Sequence, residues 1–271
     1  DPVDGGQPTR MLATGLIPQA MPRSRQQREW LRLLRHRVWL VRLRTMTVNR
    51  IHAQLHQTGL TLPRERLLRK EGVRFLKETA WPLLTPEQRR IVRTHLRIIT
   101  SLTRMIRGLD RIIRQTGQEN AHVQRLCTIP GIGSFWGLLL VAEILPVNRF
   151  SSAAKFVSYC GLAPRTASSG GHTWHGALPA DANRWVRWAL ISATATHVRR
   201  CPDTEFGRAY QALKARLGWK KARVAMARKL ARVIYAMLKN GSGWNEGQSF
   251  RREDELLHTH AGRRQADRLT V

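Results

Sequence analysis

The stretch "PEQRRIVRTHLRIITSLTRMIRGLDRIIRQT", residues 86–116, carries Val92, Ile99, Ile106 and Ile113 at intervals of seven, with Ile91, Ile98, Leu102, Met105, Leu109 and Ile112 reinforcing them. Apolar residues repeated every seven positions over four turns of the pattern predict a long helix with one apolar seam and a basic remainder. A second run of the same kind precedes it. From Gln26 to about His56, Leu34, Val41, Val48 and Leu55 recur every seven residues, and Trp30, Leu31, Val38 and Ile51 widen the stripe. Gly59, Pro63, Pro82 and Pro86 punctuate the connection at 57–85, which leaves room for a short helix between Arg64 and Ala80. Two such seams are buried either by an antiparallel hairpin or by a coiled coil with another chain, and a plain helical-bundle core would also bury them.

Composition bounds what surrounds these helices. With 271 residues, 42% of them hydrophobic, the chain can supply a core for two modest domains or one domain with an extension. Against 18 Asp and Glu stand 47 Lys and Arg, a formal net charge of +29. Such an imbalance repels itself unless a polyanion is the working partner, and nucleic acid leads that class. No apolar run reaches the roughly 18 to 20 residues that cross a bilayer, and no signal-peptide pattern opens the chain. Cys127, Cys160 and Cys201 are odd in number and far apart, which fits neither a disulfide framework nor a paired-cysteine zinc site. A reducing cytoplasm is the expected home.

Downstream, "VQRLCTIPGIGSFWGLLLVAEI" (123–144) stops one helix at Pro130 and Gly131 and starts another, with Ser134 as the expected cap. Helix, Gly-Ile-Gly turn, helix is the shape of a helix-hairpin-helix, whose turn amides can hold a phosphate; a tight turn between two core helices is the other reading. "FSSAAKFVSYCGL" is expected to be helical and to end at Gly161, and "ADANRWVRWALISATATHVRR" to be a helix with Trp185, Trp188 and Leu190 on or near its apolar face. "GWKKARVAMARKLARVIYAMLKNG" reads as a basic amphipathic helix with Ala227, Leu230, Ile234 and Leu238 inward, stopped at Lys239 to Gly241. The fold class expected is therefore mainly α: a long coiled-coil helical hairpin plus a helical C-terminal domain containing a helix-hairpin-helix-like turn.

Between these helices lies "GLAPRTASSGGHTWHG", 161–176, with Ser168 and Ser169 before Gly170 and Gly171. A hydroxyl nucleophile needs an accessible position and a backbone that can hold a phosphate, and Ser169 has both; a plain polar linker has the same composition. The blocks "TIPGIGSFWGLLLVAEI", "RFSSAAKFVSYCGLAPRTASSGGHTWHG", "NRWVRWAL" and "GWKKARVAMARKLARVIYAMLKNG", in this order and spacing, resemble the C-terminal domain of the IS-one-ten and IS-eleven-eleven insertion-sequence transposases. "ATGLIPQAMPRSRQQREWLRLLRHRVWLVRLRTMTVNRIHAQLHQTGL" is similar to the segment that in this group leaves a RuvC-like nuclease domain and enters a coiled coil.

The resemblance implies a DNA transposase, or site-specific recombinase, that exchanges strands through a serine nucleophile with metal-dependent activation, guided by a structured RNA. It implies four segments: 1–24 as the end of the RuvC-like domain, 25–118 as the coiled-coil arm, 119–241 as the C-terminal transposase domain, and 242–271 as a polar tail. Ser169 aligns with the family's nucleophile. Asp1 and Asp4, in "DPVD", match the last two carboxylates of its Asp-Glu-Asp-Asp set and are the implied catalytic ligands of Mg²⁺. The first Asp and the Glu of that set have no counterpart here, and "GGQPT" departs from the family's helix, so the chain is expected to be N-terminally truncated and inactive as a nuclease alone. Nucleic-acid contacts are expected from Gly131 and Gly133 in the turn, Arg165, Ser168 and Gly170 in the loop, Arg184 and Arg187, and Lys220, Lys221 and Arg228 on the last helix. The implied partners are DNA, a guide RNA and a second copy of the chain through the coiled coil, in a bacterial cytoplasm near the nucleoid. The rival reading is a noncatalytic helix-hairpin-helix protein that holds nucleic acid.

Overall fold

The computed structural model describes residues 21–63, 67–164, 166–169 and 172–245. Its elements are α1 (Arg25–Gln57), α2 (Lys70–Phe75), a π-helical turn (Leu76–Ala80), α3 (Trp81–Leu83), α4 (Pro86–Gln118), α5 (Ala121–Cys127), α6 (Ser134–Ile144), a 3₁₀ turn (Val147–Arg149), α7 (Ala153–Tyr159), β1 (Thr166–Ser169), β2 (His172–His175), α8 (Arg184–Arg200) and α9 (Glu205–Asn240). The mainly α fold expected from the sequence is the one the chain adopts, with a single two-stranded antiparallel hairpin among the described residues.

The two long helices start on the same device. Ser24 caps α1, accepting from the Gln27 amide at 3.2 Å while its own amide donates to Gln27 Oε1 at 2.8 Å. Thr85 and Gln88 repeat the reciprocal pair at 3.2 and 3.0 Å before α4, with Pro86 in the first turn, where no amide hydrogen is needed. The helices lie antiparallel along each other: Arg37, early in α1, grips Asp110, late in α4, with bonds of 2.9 and 3.3 Å, and Gln88 reaches Gln57 at the other end. Leu34, Val48 and Leu55 are buried, as are Val92, Ile99, Ile106 and Ile113. The seven-residue seams therefore meet within one chain.

Three expectations change. Ile91, Ile98, Met105 and Ile112 do not reinforce the buried seam; they are 39, 43, 45 and 50% exposed. One helix partner covers an arc of only about 100° of α4, and the residue preceding each seam position falls outside it. The short helix in the connection begins at Lys70 and runs on through the π turn to Leu83, with Pro82 at an initial position of α3. Ser134 does not cap α6. Gly133 is its N-cap, and the Ser134 side chain instead packs on Gly117 at the end of α4.

α6 is the centre of the remaining core. Residues 137–144 are all buried, enclosed by α1, α4, α5 and α8, and Gly137 lets Val123 of α5 approach closely. α9 closes the other side with Ala227, Leu230, Ile234 and Leu238 inward as expected; it bends at Gly218 (φ 77°), extends upstream to Glu205, and stops at Gly241 in the left-handed conformation. Among the described residues no helix is long and apolar enough to cross a membrane.

Candidate serine hairpin and nucleic-acid surface

α7 ends in a turn at Gly161 (φ 68°), and the chain then enters the β1–β2 hairpin. Ser168 pairs with Thr173 and Ser169 with His172, so both serines stand at the closed end of the hairpin. Arg165 and Gly170, expected beside them, lie outside the described residues, as do Asp1 and Asp4. Among the described residues no three His, Cys, Asp or Glu side chains converge in a way that could hold a metal ion. Burial pushes the Cys127 and Cys160 thiols up, which disfavours a thiolate nucleophile at either.

The return limb of the hairpin, 176–183, is tied down at its end. Asn183 caps α8, its Oδ1 accepting from the amides of Trp185 (3.0 Å) and Val186 (3.2 Å). Its Nδ2 donates to Glu143 Oε2 and to the Tyr159 hydroxyl, both at 2.9 Å. Glu143 is fully buried at the end of α6 and is also reached by Arg23 (2.5 Å) and Arg35 (3.0 Å) from the root of α1. Its backbone carbonyl accepts from Tyr159 (3.0 Å) and Arg149 (2.9 Å). Through its carboxylate and its backbone carbonyl, Glu143 thus joins the helical arm, α6, α7 and the limb that follows the serines. Sequence reasoning passed over it, although a lone carboxylate inside "LLLVAEI" was the signal, since a buried acid requires partners.

The expected nucleic-acid contacts divide. Gly131 (φ 96°) is packed against α8: a Cβ there would lie 2.6 Å from the Ala193 carbonyl oxygen. Gly133 is exposed with open space around it. Arg187 is half-buried and turned inward, bonding the Pro179 carbonyl and lying against Gly161, where it holds the return limb. Arg184, Lys220, Lys221 and Arg228 are exposed. A surface the sequence did not single out lies on the arm. There Arg44, Arg104, Arg107 and Arg111 line a groove of about 760 Å³ beside Leu68 and Val73, and none of the four forms an ion pair among the described residues. Unneutralised guanidinium groups in one groove suit a phosphate backbone.

Residues 123–211, from α5 into α9 and including the serine hairpin, match the model of the transposase IS116/IS110/IS902 family. That stretch, a third of the chain, is similar to this transposase family. The transposase for insertion sequence element IS1328 of Yersinia enterocolitica is 26% identical over 231 residues, covering 82% of this chain and 66% of that protein. The transposase for insertion sequence element IS1111A of Coxiella burnetii is 27% identical over 79% of this chain and 59% of its own length. The insertion element IS116 protein of Streptomyces clavuligerus is 29% identical over 146 residues, 52% of this chain. The chain thus spans about three-fifths to two-thirds of the transposases it matches most fully. This similarity agrees with the resemblance drawn from the sequence blocks, and the matched residues include the helices on either side of the two serines.

Proposed function

We propose that the chain is the DNA-handling part of an insertion-sequence transposase, with Ser169 as the nucleophile. The observation that carries this is the position of the serine pair: inside the family-matched segment, at the closed end of a hairpin whose return limb is anchored through Asn183 to Glu143. In the proposed step the Ser169 oxygen attacks a DNA phosphorus, the bond to a deoxyribose oxygen breaks, and a phosphoserine ester forms. The serine proton passes to the leaving oxygen, so the strand is cut without loss of bond energy to water. Mg²⁺ would offset the phosphate charge, and Asp1 and Asp4 are the residues proposed to hold it. The arginine groove on the arm supports a second, sequence-independent contact with a nucleic-acid backbone, for DNA or a structured guide RNA.

Joined to an upstream acidic segment of the family's nuclease domain, and supplied with Mg²⁺, element DNA and the element's structured RNA, the chain is expected to form a covalent protein–DNA adduct that survives denaturant. Ser169→Ala abolishes it. Loss in Ser168→Ala with retention in Ser169→Ala would transfer the role to the neighbour; no adduct with any serine intact would favour the noncatalytic binding protein.

The exposed stripe Ile91, Ile98, Met105 and Ile112 supports self-association. Four apolar side chains at seven-residue spacing on one helix, beside a seam already filled by α1, have the geometry of a second coiled-coil seam, and an identical helix would match it. In sedimentation equilibrium the chain is expected to be at least dimeric, and Ile98→Glu with Met105→Glu to shift it to monomer. A monomeric wild-type chain at tens of micromolar would refute the stripe as an interface.

A further inference from the structure

The return limb of the serine hairpin runs between two open cavities that share Ala180 and Arg184. The first, about 480 Å³, is polar, with Arg23, Arg35, Glu143 and Asn183 in its wall. The second, about 450 Å³, is apolar apart from its arginines, with Leu178, Arg187, Trp188 and Ile191 around it. Trp188 is 42% exposed although the residues that follow it, Ala189 and Leu190, are completely buried. Its indole is held edge-to-face against Trp136 (centroids 4.6 Å apart, 83°) and Trp185 (5.7 Å, 64°), so the ring is fixed in place while much of it stays open. Arg184, one turn earlier, is exposed, and among the described residues its side chain makes one long 3.4 Å hydrogen bond, from Nε to the Ala180 carbonyl, with no bond from the terminal guanidinium nitrogens.

A rigid, open indole beside an exposed guanidinium matches the two ends of a nucleotide, a flat apolar base and an anionic phosphate; in the polar cavity Glu143 is paired with Arg23 and Arg35, and Asp181 also lines the wall, so Arg184 is the cation left for the phosphate. A base inside a duplex cannot present its face to such a ring, because its neighbours already cover both sides. The occupant must be unpaired. We propose that the cavity over Trp188 takes the base of one unpaired nucleotide in the DNA strand handled at the serine hairpin, while Arg184 holds that nucleotide's phosphate at the mouth of the polar cavity. This rests on the reading of the chain as a DNA-handling transposase. It adds that the strand is opened beside the serines, and that the ring and cation which hold it open sit on α8, whose cap Asn183 also fixes the hairpin's return limb.

The test is fluorescence anisotropy on the intact chain at one fixed salt concentration, with three probes of equal length: oligothymidylate, the matched duplex, and a strand carrying abasic sites. Trp188→Ala is expected to weaken oligothymidylate binding about tenfold or more, the scale of one lost stacking contact, and to leave duplex affinity within about twofold. Trp188→Phe restores most of the loss, since any aromatic face can stack. Wild-type chain should bind the abasic strand as weakly as Trp188→Ala binds oligothymidylate. Arg184→Gln, on an exposed side chain with no packing role, provides a second variant that keeps the fold and should also weaken single-strand binding selectively. Equal losses on duplex and single strand, or abasic DNA bound as well as oligothymidylate, would overturn the subsite. A clear preference for oligouridylate over oligothymidylate would overturn its assignment to DNA. Duplex binding without any single-strand selectivity removes this subsite alone, whereas failure to bind any nucleic acid removes the transposase reading beneath it.

Discussion

Gly131→Ala is expected to destabilise the chain by about 3 kcal/mol or more, whereas Gly133→Ala, two residues on in the same turn, costs no more than about 1 kcal/mol. The difference follows from what surrounds each glycine. Gly131 sits at φ 96°, a conformation that side chains resist, and its missing Cβ would lie 2.6 Å from the Ala193 carbonyl oxygen and 2.9 Å from the His197 amide nitrogen. Both neighbours belong to the backbone of α8, so neither can swing aside; the turn between α5 and α6 must back away from the helix that follows the serine limb. Gly133 has nothing within 4 Å, and alanine there sacrifices only a preference at the N-cap of α6. Urea unfolding with an unchanged slope would measure both. The pair also tests the phosphate-cradle view of this turn. If Gly131→Ala kept its unfolding midpoint but lost nucleic-acid affinity, the glycine would serve a ligand rather than the packing against α8.

The hairpin arm was legible because a seven-residue repeat states which residues meet. What the repeat could not state was how many seams one helix carries, and Ile91, Ile98, Met105 and Ile112 read as support for the buried stripe although they face outward. The serine loop was legible as a site only through the blocks around it, since composition alone does not distinguish Ser168 and Ser169 from a linker; the Gly-Gly pair between "TASS" and "HTWH" was, however, a two-residue hairpin signal that a reading of the segment as a loop passed over. Arg187 shows a different limit. Its spacing from Arg184 put both on one flank of α8, but the close approach of Gly161 turns Arg187 into the support of the return limb and leaves Arg184 outside. Pairings such as Arg23 and Arg35 with Glu143 span more than a hundred residues of chain and have no local signal at all.

That long-range pairing sets the second large effect. Glu143→Ala removes the acceptor for Arg23, Arg35 and Asn183 at once, and each donor must then find water or stay unsatisfied. Breaking a wholly buried ion pair costs about 3–5 kcal/mol. Here the arginine side chains are 40 and 45% exposed and can rehydrate, so the expected loss is smaller, about 2–3 kcal/mol. Glu143→Gln keeps the shape but turns an amide donor toward three other donors, and should recover less than half of that loss. The more telling consequence is where the loosening appears. Asn183 is the cap of α8 and the end of the limb that follows the serines, so amide hydrogen exchange in 176–186 should quicken in Glu143→Gln while exchange in the middle of α4 keeps its wild-type rate. Arg35→Met alone, which unties the arm but leaves Asn183 bonded to Glu143, should leave the limb protected. Uniform acceleration across both regions would make Glu143 an ordinary stabilising residue, and would sever the link drawn between the arm, the buried carboxylate and the serine hairpin.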